Sequence, residues 1–148
     1  IGRSNGPSRA IGTVLVGLVP WTVVLRAGEL DAVFLFGLFN TNPPHLVDLY
    51  SYVFVFSGGP GGLPDRLLAW PVATGLFCLA GVSLALGAVD HEDRRVTAGL
   101  FFLAGIVHLQ VTLGLVRIGE AALPVGALLS FVLAWWALAG VEGRILGR

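Results

Sequence analysis

His108, Gln110 and Thr112 stand at alternate positions inside a stretch that carries no charge from Val96 to Val116. Imidazole titrates near neutrality, so His108 could carry a proton, ligate a metal or haem, or make hydrogen bonds to a neighbouring helix. Its surroundings sharpen the question. Twenty-one uncharged residues reach ~30 Å as a helix, the thickness of a bilayer's hydrocarbon core, and an ionisable group at that depth is a functional candidate by default. Two residues of helix turn through ~200°, so His108 and Thr112 share a face with Ala104, whereas Gln110, Gly114 and Arg117 lie opposite. Two polar faces call for two partners. Thr74 and Cys78, at similar depth in an antiparallel second helix, are the expected neighbours of His108. One or two hydrogen bonds satisfy a neutral imidazole, so a structural inter-helix histidine ranks ahead of a substrate or proton contact, and both rank ahead of a metal or haem ligand.

Other chemistries lack their residues. Bis-histidine haem needs two imidazoles at one level, but His45 and His91 fall in opposite extramembrane regions. The apolar spans contain no Asp or Glu, which argues against proton pumping and cation transport. Nucleophilic hydrolysis would want a GxSxG turn, paired carboxylates or a Cys/His pair at one level, and none is present. Asp90-His91-Glu92-Asp93 could hold a divalent cation weakly. It reads better as a solvated, salt-bridging loop whose Glu92 and Asp93 complement the dipole of the following helix. The expectation is a chain with no catalytic residue, no metal and no cofactor. A net charge of zero leaves no basic stripe for nucleic acid.

The elements that would position His108 are membrane spans. Hydrophobic residues make up 55% of the 148 and charged residues 12%, about half the charged share of an ordinary soluble domain. Uncharged runs from Ala10 to Leu25, Leu67 to Val89, Val96 to Val116 and Ala121 to Val141 predict an all-α polytopic protein. It is a single transmembrane domain over residues 1–148, a four-helix bundle with helices at about 10–28, 67–89, 96–116 and 121–141. Arg3, Arg9, Arg94, Arg95, Arg144 and Arg148 would lie on one side and Arg26, Arg66 and Arg117 on the other, which puts both termini in the cytoplasm of a multi-pass protein in the cell membrane. Trp21 and Trp70 then fall toward the outer interface, and Trp135 and Trp136 toward the inner one. The first run, preceded by Arg3 and Arg9, resembles a signal peptide but lacks a small-residue cleavage site, so it is expected to stay as an anchor. Residue 1 is not methionine, and some N-terminal sequence is expected to be missing. Pro20 should kink the first helix by freeing the carbonyl of Val16, with Thr22 as a local hydroxyl to satisfy it. Cys78, the lone cysteine, is expected to be a small buried hydrophobe.

Between Arg26 and Arg66 the chain is too long for a connection and too apolar for a disordered linker. Ala32 to Phe39 is too short to cross. Asn40-Thr41-Asn42-Pro43-Pro44 can cap and start a helix carrying Leu46, Leu49, Tyr50, Val53 and Phe54 on one stripe. An interfacial or re-entrant helical segment is therefore expected over 30–56, ended by the breaker Ser57 to Pro64. Its aromatics, Phe34, Phe36, Phe39, Tyr50, Tyr52, Phe54 and Phe56, would make a docking surface. Gly81 and Ala85 on the second helix, with Gly126, Ser130 and Ala134 on the fourth, are small residues at four-residue spacing, where helices approach closely.

Val19-Pro20-Trp21-Thr22, Asn40-Thr41-Asn42-Pro43, the run Glu92 to Leu100 and Leu123-Pro124-Val125-Gly126 together resemble a family of short haloarchaeal four-helix integral membrane proteins of uncharacterised activity. The resemblance spans most of the chain from about Val19. It implies four helices and an archaeal plasma membrane, and it lends no catalytic residue. The even charge balance departs from the acidic lean of halophile surfaces. The function expected from all this is non-enzymatic: an accessory or assembly subunit whose partners are the lipid bilayer and another membrane protein or a second copy. The alternatives are a small-solute carrier or channel lined by the third helix and, more weakly, a haem-binding redox subunit.

Overall fold

The computed structural model describes residues 6–145 and combines helices with a five-stranded antiparallel sheet. Helix α1 runs Gly6–Leu18, and strands β1 (Thr22–Arg26), β2 (Glu29–Val33), β3 (Gly37–Thr41) and β4 (Pro44–Asp48) follow directly. A π-helical turn, Ser51–Phe56, leads through the glycine-rich segment to α2 (Asp65–Ala85), which continues as a 3-10 turn over Leu86–Val89. Then come α3 (Arg94–Arg117), the short strand β5 (Ala121–Leu123) and α4 (Val125–Ile145). The sheet order is β4-β3-β2-β1-β5, so its last strand lies beside its first.

This architecture overturns the expected four-helix transmembrane bundle. The first helix does not continue to residue 28. It stops at Leu18 because Pro20 lacks an N–H and disfavours helical backbone at Val19, and because the β-branched run Thr22-Val23-Val24 favours an extended chain. Nor is 30–56 an interfacial helix. Arg26 pairs with Glu29 across a two-residue turn in which Gly28 takes a φ of 82°, and Thr41 pairs with Pro44 across Asn42 and Pro43. The Asn-Pro segment expected to cap a helix thus closes a hairpin. A Cβ at Gly37 would sit 2.7 Å from the Val47 carbonyl oxygen, so β3 can start that close to β4 only with glycine there.

Among the described residues two helices, Asp65–Val89 and Arg94–Arg117, are long and apolar enough to cross a membrane. The apolar part of α4, Val125–Ala139, is shorter, and α1 with 13 residues reaches only ~20 Å. Only 28% and 44% of the apolar windows of the two long helices are buried. Their outward faces carry Val72, Leu79, Val82, Phe102, Leu103 and Leu113 in the open. Arg3 and Arg148, which entered the arginine count, lie outside the described residues, as does the side chain of Arg144.

Helices α2 and α3 pack together along their lengths, and α3 packs on α4. The α3–α4 seam is close because a Cβ at Gly105 would collide with Phe131, and Ser130 Oγ donates to the Phe101 carbonyl at 2.6 Å. One core cluster joins the helices through Trp21, Phe77, Phe101, Ala104 and Leu133. A second, of Val24, Val33, Trp70, Val111 and Leu115, seats the sheet on α2 and α3.

Candidate functional site

The polar centre of the molecule forms where β1 enters the helices. Trp21 and Thr22 leave the end of α1 as extended chain, held by Trp21 N–H donating to the Val33 carbonyl at 2.8 Å. The Thr22 side chain therefore points at α3. Its Oγ1 lies 3.1 Å from His108 Nε2 and 2.7 Å from Thr112 Oγ1. His108 and Thr22 are fully buried and Thr112 nearly so. The Trp21 ring stands edge-on to His108, with centroids 5.2 Å apart, and makes the same kind of contact with Phe77. His108 Nδ1 is buried without a hydrogen-bond partner. An orphaned acceptor is better tolerated than an orphaned N–H, which assigns the proton to Nε2: imidazole donates to the Thr22 hydroxyl, which also shares a hydrogen bond with the Thr112 hydroxyl. This arrangement fastens a strand to a helix.

The expected polar residues do not converge. His108 and Thr112 do share a face. Gln110 is exposed on the opposite side of α3. Thr74 contacts neither of them; its Oγ1 donates to the Leu35 carbonyl at 2.7 Å, beside Trp70 Nε1 donating to Phe34 O at 2.7 Å. Those two bonds make α2 the holder of the β2–β3 loop. Cys78 is exposed, contrary to the expected buried hydrophobe. The carbonyl freed by Pro20, that of Val16, is taken by the Trp21 indole N–H at 2.9 Å rather than by Thr22.

A second buried centre went unseen in the sequence. Arg9 of α1 makes a bidentate ion pair with Glu92, at 2.9 and 2.8 Å, with the two side chains 9% and 6% exposed. Thr97 Oγ1 also donates to Glu92, at 3.2 Å, and so Ser83, 2.7 Å away, donates to Thr97. Glu92 is therefore a helix-fastening residue and not a member of a solvated loop cluster. At the far end, exposed Arg26 bridges Glu120 at 2.8 Å and Asp31 at 3.2 Å, and the Glu120 hydrogen bond raises its pKa further. Among the described residues no three His, Cys, Asp or Glu side chains group to hold a metal. His45 and His91 each bond a nearby carbonyl, far from His108.

The aromatics form a rim. Phe34 and Phe36 stack with centroids 5.0 Å apart, and Tyr50 lies 5.0 Å from Phe54. Phe36, Tyr50, Phe54 and Phe56 are exposed, Phe39 is half-buried, and Tyr52 turns inward onto Trp70. The small residues divide likewise. Gly126 is pressed against Trp21, and Ser130 and Ala134 are buried at the α3–α4 seam, whereas Gly81 and Ala85 line a crevice.

Comparison with curated proteins returned no match. Residues 2–142, nearly the whole chain, match the family described as Domain of unknown function (DUF8050), and the chain belongs to that family.

Proposed function

We propose that this chain is a non-enzymatic membrane protein serving as an accessory or assembly subunit of a larger membrane complex in a haloarchaeal cell membrane. The observation that carries the proposal is the surface of α2 and α3, where more than half of the apolar window of each helix is left unburied. In water such a surface is penalised by ~25 cal/mol for each Å² left exposed, whereas lipid tails solvate it. On this reading the α2–α3 hairpin crosses the bilayer, the sheet covers one end, and the Asp90 turn emerges at the other. Among the described residues Arg9, Arg94 and Arg95 belong to the turn end, and Arg26, Arg66 and Arg117 to the sheet end. That count is even, so the arginines of the described residues favour neither orientation of the hairpin.

The subunit role draws its support from the aromatic rim. Phe36, Tyr50, Phe54 and Phe56 stand clear of the core beside β4, the outer strand of the sheet, and exposed aromatics next to an open strand edge suit protein contact. A carrier lined by α3 has less support, because Gln110 faces away from His108 and Thr112, which are sealed. The test is gentle extraction from native membranes followed by native mass measurement, for the parent and for Y50D/F54D. The expected result is a complex with a second protein that the double variant loses. Extraction of the parent alone refutes the subunit role, and release by carbonate washing refutes membrane insertion.

A further inference from the structure

Helices α1 and α2 meet where Gly17 packs on Phe77, then diverge toward the Asp90 turn. The gap is a crevice of about 610 Å³, in the range of small-molecule sites. Ala10 and Val14 line one wall, and Gly81 and Ala85 the other. These side chains are too small to fill it: a Cβ at Gly81 would meet nothing within 4 Å. The end of the crevice is polar. Arg9, Asp90, Glu92 and Arg94 border it, two cations and two anions. The Arg9 side chain is 9% exposed, and its Nε is buried with no acceptor.

We propose that this crevice binds one uncharged single-chain amphiphile, with its hydroxyl or carbonyl oxygen at the Arg9 end and its tail between α1 and α2. The walls select the tail, since they are apolar and shaped by residues without bulk. The ion pair selects the head. An anionic head would compete with Glu92 for the guanidinium, and a cationic head would compete with Arg9 for the carboxylate. Either exchange breaks a buried bidentate pair, which is strongly destabilising, whereas an uncharged oxygen leaves the pair intact. This inference rests on the membrane reading above for the supply of such a molecule.

The lone cysteine makes the test clean. C78S/A85C places the single thiol in the crevice, C78S/V89C places it outside at the same end, and C78S/V82C places it on the outward face of α2. Each variant, in lipid nanodiscs, is labelled with a charged thiol reagent in the presence of dodecan-1-ol or dodecanoate. At free alcohol ten times its dissociation constant, labelling of C78S/A85C is expected to slow about tenfold by mass action, with C78S/V89C unchanged and dodecanoate ineffective. Equal slowing of C78S/A85C and C78S/V89C, no slowing, or a crevice thiol inert from the start overturns the site. Equal protection by dodecanoate overturns the uncharged head. A reactive thiol in C78S/V82C instead overturns membrane insertion and leaves the protection result to judge the crevice by itself.

Discussion

Thr22→Val keeps the shape of a side chain that links β1 to α3 and removes only its hydroxyl. That hydroxyl lies 3.1 Å from His108 Nε2 and 2.7 Å from Thr112 Oγ1, inside a site with no exposure at Thr22 or His108. The substitution strands the imidazole N–H and the Thr112 hydroxyl in an apolar enclosure. At ~1–3 kcal/mol for each unsatisfied group, T22V should lose about 2–6 kcal/mol. His108→Leu should also destabilise, and adding T22V to H108L should cost only ~1–3 kcal/mol, because the Thr112 hydroxyl is then the one group left to strand and no bond to imidazole remains to be lost. Unfolding in mixed micelles, followed by tryptophan emission, reads this directly: the Trp21 ring is 5.2 Å from the His108 ring and reports the same locus. A T22V variant within ~0.5 kcal/mol of the parent, or strictly additive losses in the double variant, would refute the view that this hydroxyl bridge fastens the sheet to the helices.

Glu92→Leu leaves the Arg9 guanidinium buried without its carboxylate and should lose ~3–5 kcal/mol, most of it regained in R9M/E92L, as measured by the same unfolding assay. Gly126→Val drives side-chain atoms into Trp21 and should cost ~1–3 kcal/mol with a shift in tryptophan emission, while Gly81→Ala, with open space around its Cβ, should gain up to ~1 kcal/mol from helix propensity. Asp48 accepts the Ser51 N–H at 2.9 Å, and this backbone bond holds its carboxyl below the ordinary value. A depressed acid stabilises above its unfolded pKa and loses that contribution as pH falls through the folded one. Hydrogen-exchange protection of Ser51 should therefore be full at neutral pH, decline in the acid range, and become pH-independent in this respect in D48N.

Three of the helices were legible because an uncharged run of twenty residues leaves few options, and α2, α3 and α4 overlie those runs. The sheet was harder to see. Inside an uncharged run Pro20 reads as a helix kink, although the Thr22-Val23-Val24 run after it and the two-residue Ala27-Gly28 spacing before Glu29 are hairpin signals. The apolar density of residues 30–56 hid the period of two, because several strand residues pack on helices instead of alternating cleanly with water-facing ones. For the site, helical periodicity placed His108 and Thr112 on one face. Their partner Thr22 lies 86 residues from His108, and it could be named only once β1 was known to be a strand. Arg9 and Glu92, 83 residues apart, present the same difficulty: nothing local distinguishes a solvated charge from one that another helix will cover.

Strand β1 pairs with β2 on one side and with β5 on the other, and Val23 meets Leu123 across that second seam. Ribosomal synthesis proceeds from the N-terminus, so β1 must wait, half-zipped, for roughly a hundred residues to be polymerised before its final neighbour exists. Its naked flank is an invitation to strands of other nascent chains throughout that interval. Closure by Ala121–Leu123 thus acts as a stamp of completion, and a ribosome stalled before that triplet would release a product with an adhesive border.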